Sequence, residues 1–181
     1  MSILTIILFA LAAIVIIVLL AAALTSETYH IQREVTIDQP KAEVFNYIKY
    51  LKNQEHYSKW VMLDPAARKT FTGVDGHVGF VYAWDSDNKQ VGQGEQEIIA
   101  ISDGNEMVSK VRFIKPFEGA IDARFITTAL SELHTKVSWS ITGHRNFAMR
   151  IFHVLFRLTK TLGSDMAESL GNLKKLLEAG E

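Results

Sequence analysis

The sequence predicts an α+β domain in which a curved antiparallel sheet of about seven strands wraps around a long C-terminal helix, behind an N-terminal transmembrane helix. Three observations predict it. Residues 3–24 carry no charge, residues 69–142 alternate with period two, and residues 147–178 follow a helical period. We expect residues 1–28 to be a membrane anchor with a short link and residues 29–181 to form one domain.

Composition narrows the function classes. The 181 residues carry a net charge of −1, which gives no long-range attraction for nucleic acid. The chain has no cysteine, so disulfides, thiolate nucleophiles and Cys-ligated zinc are excluded. No spacing typical of a metal site is present among the six histidines, and we expect neither a metal nor another cofactor.

The first helix is predicted from Ile3 to Leu24, where Thr5 is the only polar residue. At about 1.5 Å per residue, this segment spans roughly 30 Å, the thickness of the hydrocarbon core of a bilayer. A cleaved signal peptide is the competing interpretation, but no Lys or Arg precedes the apolar run. Arg33 and Lys41 follow it, so the positive-inside rule favours a single-pass protein with a cytoplasmic domain.

Period-two alternation predicts the strands of the sheet. A first strand is expected over Tyr29–Ile37, followed by a helix that starts near Pro40 and a short helix from Asn53 to about Trp60. Short turns separate the remaining strands, which makes them sequential antiparallel neighbours. These strands are predicted at residues 69–72, 78–85, 91–102, 106–114, 118–130 and 133–142.

The C-terminal segment predicts a long amphipathic helix from about Phe147 to Glu178. Apolar residues recur every three or four positions from Ile151 to Leu177. Gly163 weakens this helix, and Ser164 with Asp165 could cap a new one, so one kinked helix and two helices are both compatible with the pattern. An antiparallel sheet that curls around this helix leaves an apolar cavity where the small helices do not meet it.

Seven stretches, taken together, have a characteristic order along the chain. They are QPKAEVFNYI, KW, GHVGFVYAW, VGQGEQEI, VRFIKPFEG, TKVSW and LGSDMAESLGNLKKLLE, and they cover about Tyr29 to Glu178. In this order they resemble the START-like (SRPBCC) superfamily, and within it the polyketide cyclase/dehydrase and lipid-transport family. The resemblance implies the helix-grip fold and a hydrophobic cavity; members bind lipids, sterols, hormones or aromatic polyketides, and some are enzymes.

Alternation also predicts which side chains face the cavity. Tyr82 and Trp84 share one face of their strand, and the amide of Gln96 lies on the inner face of the next, where it needs a hydrogen-bond partner. A turn that pairs Asp85 with Val91 would set Trp84 opposite Gly92 and Tyr82 opposite Gly94. The predicted ligand-binding residues are Tyr82, Trp84, Gln96, Phe113, Phe125 and Trp139.

Three functions are compatible with these features. The first is a membrane-anchored binding domain for a hydrophobic or amphipathic small molecule such as a lipid. The second is a cyclase- or dehydrase-like enzyme, although no catalytic residue is identified, and the third is a partner-binding or regulatory module with a filled core. The segment Asn146–Leu158, apolar with Arg145, Arg150 and Arg157 around it, is either the first half of a core helix or a membrane-interface helix.

Overall fold

The computed structural model describes residues 2–180. It contains an N-terminal helix, one antiparallel sheet, three short helices after the first strand and two C-terminal helices. The α-helices are α1 (Ile3–Leu24), α2 (Lys41–Ile48), α3 (Lys59–Met62), α4 (Phe147–Phe156) and α5 (Leu158–Glu178), with a 3₁₀ helix at Leu51–His56. The strands are β1 (Thr28–Ile37), β2 (Arg68–Thr72), β3 (Val81–Asp85), β4 (Gln93–Ser102), β5 (Glu106–Lys115), β6 (Gly119–Ala129) and β7 (Thr135–His144).

Helix α1 has the length and apolar composition of a membrane-crossing segment. Ser2 caps its first turn by accepting a hydrogen bond from the Thr5 amide. Most of its side chains are exposed, so the fold gives this helix no apolar core to lie in. A signal sequence near an N-terminus has the same length and apolar composition.

The sheet has the strand order β1-β7-β6-β5-β4-β3-β2, with every neighbouring pair antiparallel. The predicted meander is therefore confirmed, and β1 joins it at β7. The predicted register of the β3–β4 turn is wrong, because the turn occupies residues 86–92 and pairs Asp85 with Gln93. As a result, Trp84 lies opposite Gly94 and Tyr82 lies opposite Gln96. The error is two residues along β4, which leaves every side chain on its predicted face.

The sheet closes around α5. The buried face of this helix is formed by Met166, Leu170 and Leu173, which belong to a single core with the inner face of the sheet. The confirmed fold class is thus an α+β domain with a seven-stranded antiparallel sheet around a long C-terminal helix.

The C-terminal segment consists of two helices, and the break lies at Arg157, not near Gly163. Arg157 has a left-handed backbone conformation, with φ of 50°. Gly163 has a different role: a Cβ atom there would lie 2.1 Å from Arg33 Nη2, so the glycine lets the guanidinium cross the helix surface closely.

The 3₁₀ helix and α3 cover the side of the sheet that α5 leaves open. Leu51, Gln54 and Tyr57 are all buried at a spacing of three, which is the period of a 3₁₀ helix. The Asp75 carboxylate accepts hydrogen bonds from the Leu51 and Lys52 amides and fixes the start of this segment. These two helices bring polar side chains to the edge of the core.

Candidate functional site

A cavity of about 320 Å³ lies between the inner face of the sheet, the start of α5 and the short helices. This volume falls at the lower end of the roughly 300–1,000 Å³ that small-molecule sites occupy. Most of the lining is apolar. Its aromatic residues are Tyr29, Trp60, Tyr82, Trp84, Phe113 and Trp139.

Five of the six residues predicted from the sequence line this cavity: Tyr82, Trp84, Gln96, Phe113 and Trp139. Phe125 is the exception and corrects the prediction. Its ring stacks on Trp139 at 4.8 Å between centroids and is only 2% exposed, so it supports Trp139 from the core and does not line the cavity.

The wall at the β3–β4 pair is shaped by a ring over a glycine. A Cβ atom at Gly94 would lie 2.6 Å from the Trp84 ring and 2.6 Å from the Arg112 carbonyl oxygen. Only glycine therefore leaves room for the indole, whose Nε1 donates to the Val91 carbonyl at 3.3 Å. The rings of Phe113 and Trp84 are arranged edge to face, with 6.4 Å between their centroids. Phe113 is 37% exposed and thus lies where the cavity meets the surface.

The amide of Gln96 finds a partner within the protein. Its Nε2 donates to Ser109 Oγ at 2.8 Å across the β4–β5 pair, and both residues are buried. This contact meets the hydrogen-bond requirement that the sequence raised for the Gln96 amide nitrogen, so a ligand is not needed for it.

Two other donors in the lining have no partner. Trp139 Nε1 and Gln54 Nε2 are buried and make no hydrogen bond among residues 2–180. Trp139 is 5% exposed and Gln54 is 7% exposed, and both contribute to the cavity wall. A buried donor without an acceptor costs about 1–3 kcal/mol. Both donors thus belong to residues of the cavity wall, and neither has an acceptor within residues 2–180.

A chain of three polar side chains reaches the same cavity. The Tyr82 hydroxyl donates to Glu55 Oε1 at 3.2 Å, and Glu55 Oε2 pairs with Lys69 Nζ at 3.0 Å. Tyr82 and Lys69 both line the cavity. Burial, with a smaller effect from the Glu55 carboxylate, raises the pKa of the Tyr82 hydroxyl above its ordinary value. Tyr82 is thus a hydrogen-bond donor at neutral pH and not a base.

Sequence reasoning missed the contribution of the short helices. Gln54, Ser58 and Trp60 line the cavity although they belong neither to a strand nor to a long helix. The detectable signal was the spacing of three from Leu51 through Gln54 to Tyr57, which places Gln54 on a buried face. The function of a buried glutamine on that face could not be recognised without knowing what it faces.

The histidines lie elsewhere. His77 and His153, the two that sequence position could have directed inwards, do not line the cavity. His153 packs against Tyr29 at 5.0 Å between ring centroids and contacts Arg145 Nη1 through its Nδ1 at 2.8 Å. Within residues 2–180, no group of three or more His, Asp or Glu side chains is placed to hold a metal ion.

Comparison with known proteins shows the fold. No family model and no curated protein matches this sequence. The solved structure of protein MLL2253 from Mesorhizobium loti superposes with a TM-score of 0.61 at 15% identity, over 84% of this chain and 99% of that one. Norcoclaurine synthase from Thalictrum flavum, solved with dopamine and hydroxybenzaldehyde, gives a TM-score of 0.60 at 15% identity, over 90% and 92% of the two chains.

A third solved structure has the same architecture. The Aha1 protein from Colwellia psychrerythraea superposes with a TM-score of 0.57 at 14% identity, over 84% of this chain and 98% of that chain. At such identities the likeness concerns the fold alone. The domain behind α1 therefore has the helix-grip fold that START-like and Bet v 1-like proteins share.

Proposed function

We propose that this protein is a membrane-anchored binding domain for one small amphipathic molecule, such as a lipid, that carries a hydrogen-bond acceptor at its buried end. The observation that carries the proposal is that two residues in the wall of this largely apolar cavity, Trp139 and Gln54, each hold a buried donor without a partner, Nε1 and Nε2 respectively. An acceptor between aromatic walls would pair these donors, while the rest of the molecule would replace water on the apolar lining.

The anchor is part of the same proposal. Its support is the 22-residue apolar helix α1, whose exposed side chains suit hydrocarbon and not water. The proposal places the domain on the cytoplasmic side, by the positive-inside rule applied to Arg33 and Lys41.

Mass spectrometry of the full chain, purified in mild detergent, tests the binding function. We compare Val111→Phe, which fills the cavity, with Val108→Phe, the same change on the opposite face of β5. The wild type and Val108→Phe are expected to carry a bound amphipathic molecule. Val111→Phe is expected to carry about tenfold less, which corresponds to ~1.4 kcal/mol of binding free energy.

Two results would overturn the proposal. One is equal occupancy in the two valine variants, which would place the molecule outside the cavity. The other is a bound molecule with no acceptor atom, because such a molecule would leave the Trp139 and Gln54 donors unpaired.

The Tyr82–Glu55–Lys69 chain favours a second candidate function, an enzyme whose substrate lies in this cavity and receives a hydrogen bond from Tyr82. Replacing Tyr82 by Phe removes the hydroxyl and keeps the ring. If the protein is an enzyme, the Tyr82→Phe variant accumulates substrate, and its bound molecule differs in mass from the one in the wild type. The same mass in both proteins would leave binding as the function and reject catalysis by Tyr82.

A further inference from the structure

Helix α4 turns its apolar face outwards and its polar face inwards, whereas a surface helix of a soluble domain does the opposite. Its apolar stripe Ala148, Phe152, Leu155 and Phe156 points outwards, and the last three side chains are 45%, 54% and 60% exposed. Arg150 and His153 point inwards: the Arg150 side chain is 15% exposed and His153 is 7% exposed. In water this arrangement exposes the hydrophobic face, so water is not the solvent that suits α4.

Helix α4 is also held against the end of α1. At the C-terminal end of α1, Val18, Ala21, Ala22 and the cap residue Thr25 lose exposure and form one helical stripe, and α4 is the helix that contacts α1. Arg150 Nη1 donates to the carbonyl of Thr25, the C-cap of α1, at 3.2 Å. This contact satisfies a carbonyl that has no partner within the helix. From Val18 to Thr25 the helix rises about 10 Å, so α4 lies alongside the last two turns of the bilayer-length helix.

The apolar surface continues from α4 onto the turn between β5 and β6. Phe117 in this turn is 65% exposed, and its ring lies 6.3 Å from that of Phe152. Lys115, at the end of β5, and Arg157, directly after α4, are both exposed. Aromatic rings flanked by cations are typical of segments that lie at the boundary between lipid headgroups and acyl chains.

We propose that α4 and the β5–β6 turn insert into the interface of the bilayer that α1 crosses, as a second membrane contact that fixes the orientation of the domain. The inference rests on the anchoring part of the proposed function and not on ligand binding. Lipid is the chosen occupant because the outward face of α4 is continuous with the exposed apolar surface of α1. The depth of about 10 Å agrees with the roughly 5–10 Å that interfacial helices reach.

This orientation turns one end of the cavity towards the membrane. In the antiparallel sheet, the start of β1, the start of β6 and the ends of β3 and β5 lie at the same edge. The cavity residues Tyr29, Ile121, Trp84 and Phe113 lie close to those strand ends. The edge is the one from which α1 and α4 extend, so the exposed Phe113 lies on the membrane side of the cavity.

Fluorescence quenching in vesicles tests the insertion. Because the chain has no cysteine, single cysteines at 152, 155 and 156 can be labelled with the fluorophore NBD in the full-length protein. Leu133→Cys is the control: Leu133 is an equally exposed apolar residue, at 62%, in the β6–β7 turn at the opposite end of the sheet. Leu11→Cys, in the middle of α1, reports on the anchor itself. The vesicles are phosphatidylcholine with a spin-labelled lipid as quencher, and iodide is the quencher in water.

We expect labels at 152, 155 and 156 to lose most of their emission to the spin-labelled lipid and little to iodide, and the label at 133 to behave in the opposite way. If iodide quenches the α4 labels while lipid quenches only position 11, the inference is overturned and the anchor stands. Protection of the α4 labels from both quenchers would mean that protein, such as a second copy, covers the helix, and would also overturn it. If position 11 is not quenched by lipid, the anchor and this inference fail together, while the valine variants still test ligand binding.

Discussion

Trp60 and Trp139 form a pair of indoles in the cavity wall that differ in one respect, the partner of the ring nitrogen. Their rings meet edge to face with centroids 5.5 Å apart. Trp60 Nε1 donates to Asp165 at 3.3 Å, whereas Trp139 Nε1 finds no acceptor among residues 2–180. The same substitution at the two positions therefore compares a hydrogen bond made within the fold with a donor that has no partner there.

The Trp→Phe change is expected to lower the free energy of unfolding more at position 60 than at position 139. In protein stripped of ligand, Trp60→Phe is expected to lower the free energy of unfolding by roughly 1 kcal/mol, because it removes a hydrogen bond. Trp139→Phe is expected to leave the free energy of unfolding higher than Trp60→Phe leaves it, because this change removes a buried donor that has no partner. Thermal unfolding in detergent measures both, and native mass spectrometry shows whether Trp139→Phe loses bound ligand faster. Equal destabilisation by the two changes would contradict the free state of Trp139 Nε1.

At the scale of elements, the boundary between α4 and α5 determines what each helix can do. Arg157 lies in the left-handed region and turns the chain, so that α5 enters the core while α4 stays with α1. A continuous helix would carry the stripe of Phe152 and Phe156 in line with the buried stripe of α5. The break is thus the feature that allows α4 to turn its apolar stripe outwards while α5 packs against the sheet.

Substitutions at Arg157 test this break through the sign of a stability difference. Both Arg157→Gly and Arg157→Ala remove the charge, but only glycine adopts the left-handed conformation without a steric penalty, so the Gly variant is expected to be the more stable by roughly 1 kcal/mol. That difference corresponds to a Tm shift of about 2–4 °C in a domain of this size. In an unbroken helix the order reverses, with Ala more stable than Gly by about 1 kcal/mol.

At the scale of the whole molecule, most of the sheet could be predicted from alternation and short turns. The inward faces of β3, β4, β5 and β7 followed from the same alternation, and the two-residue register error at Gln93 did not change them. Depth along the inner face could not be predicted: Phe125 and Trp139 both point inwards, but only Trp139 reaches the cavity. A period-two pattern identifies the face of the sheet on which a side chain lies. It does not show whether that side chain reaches the cavity or is covered by a neighbouring ring.

The helical break and the donor pair depended on tertiary contacts. Gly163 looked like a helix breaker because an isolated glycine weakens a helix, but Arg33 on β1 uses the space that the glycine leaves. Arg157 shows no local signal, since its left-handed backbone arises where α4 is held by α1. Likewise, the unpaired state of Gln54 depends on the residues that other elements place around it.

The link between Leu24 and β1 limits how an anchored domain of this kind would encounter a ligand. It comprises only residues 25–27, a reach of about 10 Å even when extended, and Arg145 Nε holds the Ser26 carbonyl at 2.8 Å. With α1 in a bilayer, such a domain stays at the membrane surface and diffuses only laterally. Its search for a ligand is then two-dimensional, and it samples the molecules dissolved in or leaving the lipid surface in preference to those free in solution.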